Sequence, residues 1–282
     1  MIDPRLDIIR KRLDPVRRIL VFAGAKGGVG KSFCTAVTAV ELARRGLHTA
    51  VLDMDFQGAS AHLFLGAELG FPEEEAGIKP LRVGANLELM SFAAFSGERA
   101  VPLRGEGVRE AMLELLAITI WPPLDFLLVD MPPGIGDELL DLLRYLHRGE
   151  FVVVATGSRV VVQVVSRLLE LLRSLDAPLL GVVENMTKTS PQTEAKKPPQ
   201  TETKTSPQTE PAGMAGGGFG EPVESMCARF DTTVLARLPF VPDLDSRLPL
   251  LEPLDGTLGR EVRALADALT RGPAAPAMPP SA

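Results

Sequence analysis

The sequence predicts an α/β fold: a doubly wound, mainly parallel sheet with helices on both faces. Three observations carry this reading. Short apolar runs of strand length alternate with longer stretches of helical spacing from Ile19 to Leu269. The short runs are almost continuously apolar, as strands covered on both faces are. A glycine-rich turn stands between the first strand and the first long helix, at 25–32.

The elements follow in order. Residues 1–18 mix bases (Arg5, Arg10, Lys11, Arg12, Arg17, Arg18) with acids (Asp3, Asp7, Asp14), and Ile8, Ile9 and Leu13 make a weak helical stripe. A leader helix packed on the domain edge is expected. An arm that touches membrane or nucleic acid is the other reading. Ile19–Ala23 reads as a buried strand and Ser32–Arg45 as a helix stopped by Gly46. His48–Leu52 and Leu87–Ser91 read as strands, and Val108–Ile120 has helical spacing. Phe126–Val129 is a strand and Asp137–His147 a helix. Phe151–Ala155 is a strand rich in valine, followed by a helix over Val160–Leu175. Leu179–Val183 and Val234–Leu238 are the last strands, and Leu258–Leu269 the last helix.

At 282 residues the chain suits one large α/β domain or two small ones. Hydrophobic residues at 45% and charged residues at 23% exclude wholesale disorder. No apolar run approaches the roughly 18 residues of a membrane-spanning helix. No apolar core followed by a small-residue cleavage site opens the chain, so a cytoplasmic location is expected. Two cysteines, Cys34 and Cys227, exclude a disulfide framework and a four-cysteine metal site within one chain. His48, His62 and His147 form no ligand spacing. A net charge of −6 argues against a general nucleic-acid binder, and no nucleic-acid or membrane partner is expected.

One stretch breaks the alternation. Residues 187–210 are three near-repeats of eight, TKTSPQTE, AKKPPQTE and TKTSPQTE, with Ala195 their only apolar residue. Such a stretch cannot bury enough surface to offset its ordering entropy, so a disordered insertion is expected at 187–212. A Gly-rich segment, 213–220, follows it. The Pro/Ala-rich end, 273–282, reads as a flexible tail.

The chemistry concentrates in Ala25-Lys26-Gly27-Gly28-Val29-Gly30-Lys31-Ser32. Glycines let backbone N–H groups turn inward around phosphates, and the helix N-terminus adds its positive end. Lys31 would reach the β- and γ-phosphates, and the Ser32 hydroxyl would ligate Mg²⁺. The pattern GxxxxGK[ST] asks for glycine at position 25, where Ala25 stands. Four apolar residues, Phe126–Val129, end in Asp130, which delivers a carboxylate beside the metal. Asp53-Met54-Asp55-Phe56-Gln57-Gly58 is a second acidic loop after an apolar strand.

KGGVGKS resembles the deviant phosphate loop of the MinD/ParA/Mrp group of dimeric ATPases. The resemblance implies a P-loop domain over 19–272, with 1–18 as leader. It implies that Lys26 reaches across a two-fold axis to the partner subunit's ATP, so that a homodimer forms on nucleotide binding. It also implies that Asp55 positions the attacking water and that Asp53 supports Mg²⁺ or its waters. The catalytic group is then Lys26, Lys31 and Asp55. Ala25–Phe33 and Asn185 hold ATP, and Ser32, Asp53 and Asp130 serve the metal.

Three segments are similar to the Mrp/ApbC branch of iron-sulfur cluster carriers: DMPPGIGD at 130–137, GVVENM at 181–186, and the Gly-rich run 216–220 with Ala236-Arg237-Leu238-Pro239 after it. Trp121 ahead of the Phe126–Asp130 strand also fits. In that branch the Asn of ENM contacts adenine, a role carried here to Asn185, with Pro239–Asp243 flanking the base. The chain departs from the branch in two places. Phe33 stands where relatives carry Thr, which removes a hydroxyl near the α-phosphate. The CxxC that ligates the bridging cluster is absent, and Cys227 is left as the one candidate thiolate for an iron-sulfur cluster. The expected function is an ATP-hydrolysing dimeric switch with iron-sulfur clients or scaffold proteins as partners. A MinD/ParA-like spatial regulator and a cluster-free ATP-switch scaffold are the alternatives.

Overall fold

The structure is a computed structural model and describes residues 3–70, 72, 77–96, 105–188 and 222–271. Most of the repeat insertion, the Gly-rich run and the tail lie outside these residues. Among them, eight strands form one sheet in the order β3-β4-β2-β5-β1-β6-β7-β8. In chain order the strands are β1 (Val16–Ala23), β2 (Thr49–Asp53), β3 (Leu81–Gly84), β4 (Leu87–Ser91), β5 (Leu124–Asp130), β6 (Gly149–Thr156), β7 (Leu179–Thr187) and β8 (Val234–Pro239). Every pairing is parallel except β3 with β4.

Parallel neighbours need a crossover between them, and the helical segments supply it. α2 (Lys31–Arg44) links β1 to β2 and packs on α3 (Ala61–Leu65) and α9 (Gly256–Arg271). A second group comprises α1 (Arg5–Leu13), α5 (Glu106–Ile118) and α6 (Asp137–Tyr145), in mutual contact. α7 (Arg159–Ser174) and α8 (Val223–Arg229) cover β6, β7 and β8. α4 (Ala93–Ser96) is one short turn after β4. The central strands bury successive residues, as in Leu20, Val21 and Phe22, so neither face of the sheet is wet.

The differences from the sequence reading have physical causes. β3 and α3 are too short to show a period, and β3 is a half-exposed edge strand. β1 starts at Val16, three residues ahead of the boundary expected at Ile19, and Ile9 and Leu13 of α1 are fully buried. The leader helix is packed on the domain, as expected, with α1 on α5, but residues 16–18 belong to the sheet. Likewise Thr187 closes β7 opposite Pro239 and accepts a hydrogen bond from Phe240 N, so the strand takes the first position of the expected insertion.

Arg18 is the clearest case. Counted with the bases of the leader, it is buried in β1, where Glu150 of β6 faces it. Its Nε and Nη2 donate to Glu150 Oε1 and Oε2 at 2.8 and 2.7 Å. Its Nη1 donates to the Leu269 carbonyl of α9, and its guanidinium lies 5.5 Å from the Phe126 ring centre. The two-pronged pair satisfies a charge that burial alone would forbid. Removing only Glu150, as in Glu150→Leu, is expected to lower the unfolding free energy by about 3–5 kcal/mol in urea titration. Adding Arg18→Met should recover most of that loss.

Candidate nucleotide-binding site

The carboxyl ends of the parallel strands converge on one edge, where open α/β sheets place ligands. β1 ends at Ala23, and the chain turns through 24–30 into α2. Gly28 and Gly30 both take φ of +81°, which an L side chain rarely adopts. Gly30 is the N-cap of α2, and a side chain there would collide with the Asn185 amide. Ala25 is buried and is not among the residues of positive φ. Position 25 thus needs no glycine in this loop, and the departure from the motif is conformationally harmless.

Lys31 is almost fully buried, and its Nζ donates to Asp130 Oδ1 at 2.9 Å. Asp130 ends β5 and lies opposite Asp53 of β2 in register. Neither carboxylate is exposed. Burial raises the Asp130 carboxyl above its ordinary range, and Lys31 pulls it back. Burial, and then the Asp130 charge, push Asp53 up to about 7. Asp130 Oδ2 is buried without a hydrogen-bond partner. An orphaned acceptor beside Ser32 fits a divalent cation. No three His, Cys, Asp or Glu side chains among the described residues form a ready cage. A cation here would depend on phosphate oxygens and water for the rest of its shell, the habit of Mg²⁺.

Asp53, expected to support Mg²⁺ or its waters, has both oxygens engaged with backbone. Its Oδ1 accepts from Asp55 N at 3.1 Å and its Oδ2 from Ala61 N at 3.2 Å. It therefore clamps both ends of the loop that carries Asp55. Asp55 accepts from Gln57 N and Gly58 N at 3.2 and 2.9 Å. The loop after β5 docks on the phosphate loop, with Gly134 N donating to Gly24 O at 3.0 Å. Asn185, in β7, is buried and donates from Nδ2 to Val29 O at 2.9 Å, bracing the loop from the side.

A cavity of about 220 Å³ opens between these loops. It is lined by the backbone of 26–30, Lys31, Ser32, Phe33, Asp55 and Pro133. Exposed Lys26 stands at its mouth. Phe33 is buried edge-on against Phe64 of α3, with ring centres 6.1 Å apart. The sequence brought out Lys26, Lys31, Ser32 and Asp55, which line this cavity, and Asp130, which pairs with Lys31. It did not bring out Phe64 or Ser60, which complete the wall together with Pro133 of the 130–137 segment. α3 has too few residues to announce itself by spacing.

A family model described as ParA: NUBPL iron-transfer P-loop NTPase matches residues 15–249. The chain belongs to this family. Curated relatives named iron-sulfur cluster carrier protein include one from Rickettsia prowazekii, 33% identical over 187 residues. That match takes in 66% of this chain and 58% of the relative. The relative from Mycobacterium tuberculosis strain H37Rv is 31% identical over 264 residues, 91% of this chain and 66% of its own length. The chain thus spans about three-fifths to two-thirds of these relatives. Among solved structures, a nucleotide-binding protein from Archaeoglobus fulgidus, in complex with ADP, has a TM-score of 0.69 at 24% identity, covering 90% of this chain and 95% of its own. The cell division ATPase MinD of Pyrococcus furiosus has a TM-score of 0.58 at 18% identity, with coverage of 90% and 99%. These likenesses confirm the P-loop NTPase fold.

The family's thiol chemistry meets a different interior here. Cys34, in α2, and Cys227, in α8, are both buried. Burial first, then the nearby Glu224 and Glu184 carboxylates, push the Cys227 thiol up to about 11. Burial raises Cys34 further still. A cysteine ligates a cluster as its thiolate. Cys227, expected as the candidate ligand, does not fit that role in this arrangement. At about pH 8 the native protein should leave both thiols unmodified by a thiol-specific reagent over minutes, and denaturant should release both. Rapid native labelling of Cys227 would contradict this burial.

Proposed function

We propose that the chain is a Mg²⁺-dependent ATP-binding and ATP-hydrolysing switch that closes as a homodimer on nucleotide. The observation that supports it is the convergence of residues 26–30, Lys31, Ser32 and Asp55 on one cavity, with Asp130 paired to Lys31. Backbone N–H groups of the loop and of the first turn of α2 hold the β- and γ-phosphates. Lys31 exchanges Asp130 for phosphate oxygens, so a buried cation always has an anionic partner. Ser32 and Asp130 would hold Mg²⁺, which when bound draws charge off the phosphate oxygens.

Asp55 orients a water in line with the γ-phosphorus. The water oxygen bonds to phosphorus as the bond to the ADP oxygen breaks, and both of the water's protons leave on inorganic phosphate, as dihydrogen phosphate. Lys26 stands exposed at the cavity mouth with no ion pair among the described residues, as a lysine acting on a partner subunit's nucleotide must. It would stabilise the charge that grows in the transition state. Asn185 stays beside the nucleotide as brace of the loop and flank of the base.

The family name points to iron transfer as the setting. With no CxxC and two buried thiols, any cluster handled by this chain would take its ligands from a client or scaffold protein. The chain would then supply the nucleotide-timed change of shape. Three substitutions test the reading. Lys31→Ala should weaken ATP binding by at least about 100-fold, in line with the loss of a buried charge-assisted contact. Asp55→Ala should bind ATP like the parent, hydrolyse about 100-fold more slowly and accumulate as dimer in sedimentation. Lys26→Ala should bind ATP but fail to dimerise with it. Parent-like turnover in Asp55→Ala would remove Asp55 from the water-positioning role.

A further inference from the structure

Asp55 lies on the loop 54–60, and among the described residues its carboxylate takes hydrogen bonds from that loop alone. The hydrogen bonds to it come from Gln57 N and Gly58 N. No side chain or backbone group of another element among the described residues donates to it. The position of the carboxylate is therefore only as well defined as the position of the loop. Asp53 clamps the loop's two ends. Between them the chain runs mostly in the open, with Gln57 and Gly58 exposed and Asp55, Ala59 and Ser60 half-buried.

Phe56 is the exception. It follows Asp55 directly and is the one buried side chain between Asp55 and Ser60. Its ring lies 4.8 Å from the ring of Phe92, at 60°. Phe92 in turn lies 6.3 Å from Phe95. Phe92 directly follows β4, and Phe95 belongs to α4. A tilted aromatic pair fixes both distance and orientation, which an aliphatic contact does less well. Phosphate chemistry asks for no aromatic ring at this point.

We propose that Phe56 is a positioning residue for hydrolysis. Seated on Phe92, its ring holds the Asp55 carboxylate where it orients the attacking water. This rests on the role given to Asp55 under Proposed function. The phosphate-holding groups lie on the loop 26–30 and the first turn of α2, and the ring partner of Phe56 is Phe92, outside both. Loosening Phe56 therefore slows the chemical step and leaves nucleotide affinity alone. Small displacements of a positioning group cost up to about 100-fold in rate.

The test uses the full chain, phosphate release for kcat and KM, equilibrium binding of a non-hydrolysable ATP analogue, and thermal unfolding. Phe56→Ala should lower kcat about 10- to 100-fold with analogue affinity within about 3-fold of the parent. Phe56→Leu should recover part of the rate, and Phe92→Ala should reproduce the loss. In the background of Asp55→Ala, adding Phe56→Ala should cost nothing more, because the two residues act as one unit.

If Asp55→Ala is inactive while Phe56→Ala turns over like the parent, the proposal fails and the role of Asp55 stands. A further loss on adding Phe56→Ala to Asp55→Ala, with weakened analogue binding, would make Phe56 a fold residue only and overturn the proposal. If Asp55→Ala keeps the parent rate, or the parent hydrolyses no ATP, the underlying reading falls and takes this one with it. Should Phe56→Ala unfold, Phe56→Leu decides alone: a lowered kcat at parent affinity supports the role, and a parent-like kcat refutes it.

Discussion

Lys31 reaches Asp130 across 2.9 Å of buried space, and the nucleotide site is arranged around that pair. The lysine is fixed by the turn from β1 into α2, and the aspartate by the end of β5, its hydrogen-bonded neighbour in the sheet. Sheet register puts Asp53 of β2 beside Asp130 on the other side. A buried cation without an anion, or two buried carboxylates without a cation, would be strongly unfavourable. The arrangement tolerates both carboxylates because Lys31 neutralises one and backbone N–H groups satisfy the other. It also leaves one Asp130 oxygen without a partner, where a metal would complete the balance.

Much of this is legible in the sequence, and the reason is local. The phosphate loop is contiguous, so strand, glycines and helix start appear within one short stretch. Asp130 ends an uninterrupted apolar run, and β4 falls on the same residues, Leu87–Ser91, that the pattern predicts. What the sequence hides is what only tertiary contact creates. The partnership of Arg18 with Glu150 joins residues 132 positions apart. Phe56 and Phe92 meet only because β2 and β4 are neighbours in the sheet. The resemblance assigns Asp53 to Mg²⁺ or its waters, but that its oxygens also accept from the backbone of its own loop shows only in the fold. No periodicity reports such a choice.

The departures from the family pattern fall into two kinds. At Ala25 the backbone is ordinary, so the lost glycine has no conformational cost. At Phe33 the lost hydroxyl is replaced by an aromatic wall with Phe64, which ties the phosphate loop helix to α3. Both changes keep the cavity. The missing CxxC is of another order, because the two remaining cysteines are both buried.

The most direct test of the nucleotide site is an equilibrium titration of the intact chain with ATP, with and without magnesium at fixed ionic strength. One ATP should bind per chain, at least about ten-fold more tightly with magnesium, a difference of roughly 1.4 kcal/mol. AMP, which lacks the β- and γ-phosphates, should not compete. Absence of saturable ATP binding, or equal affinity for ATP and AMP regardless of magnesium, would contradict a site organised around Lys31 and Asp130.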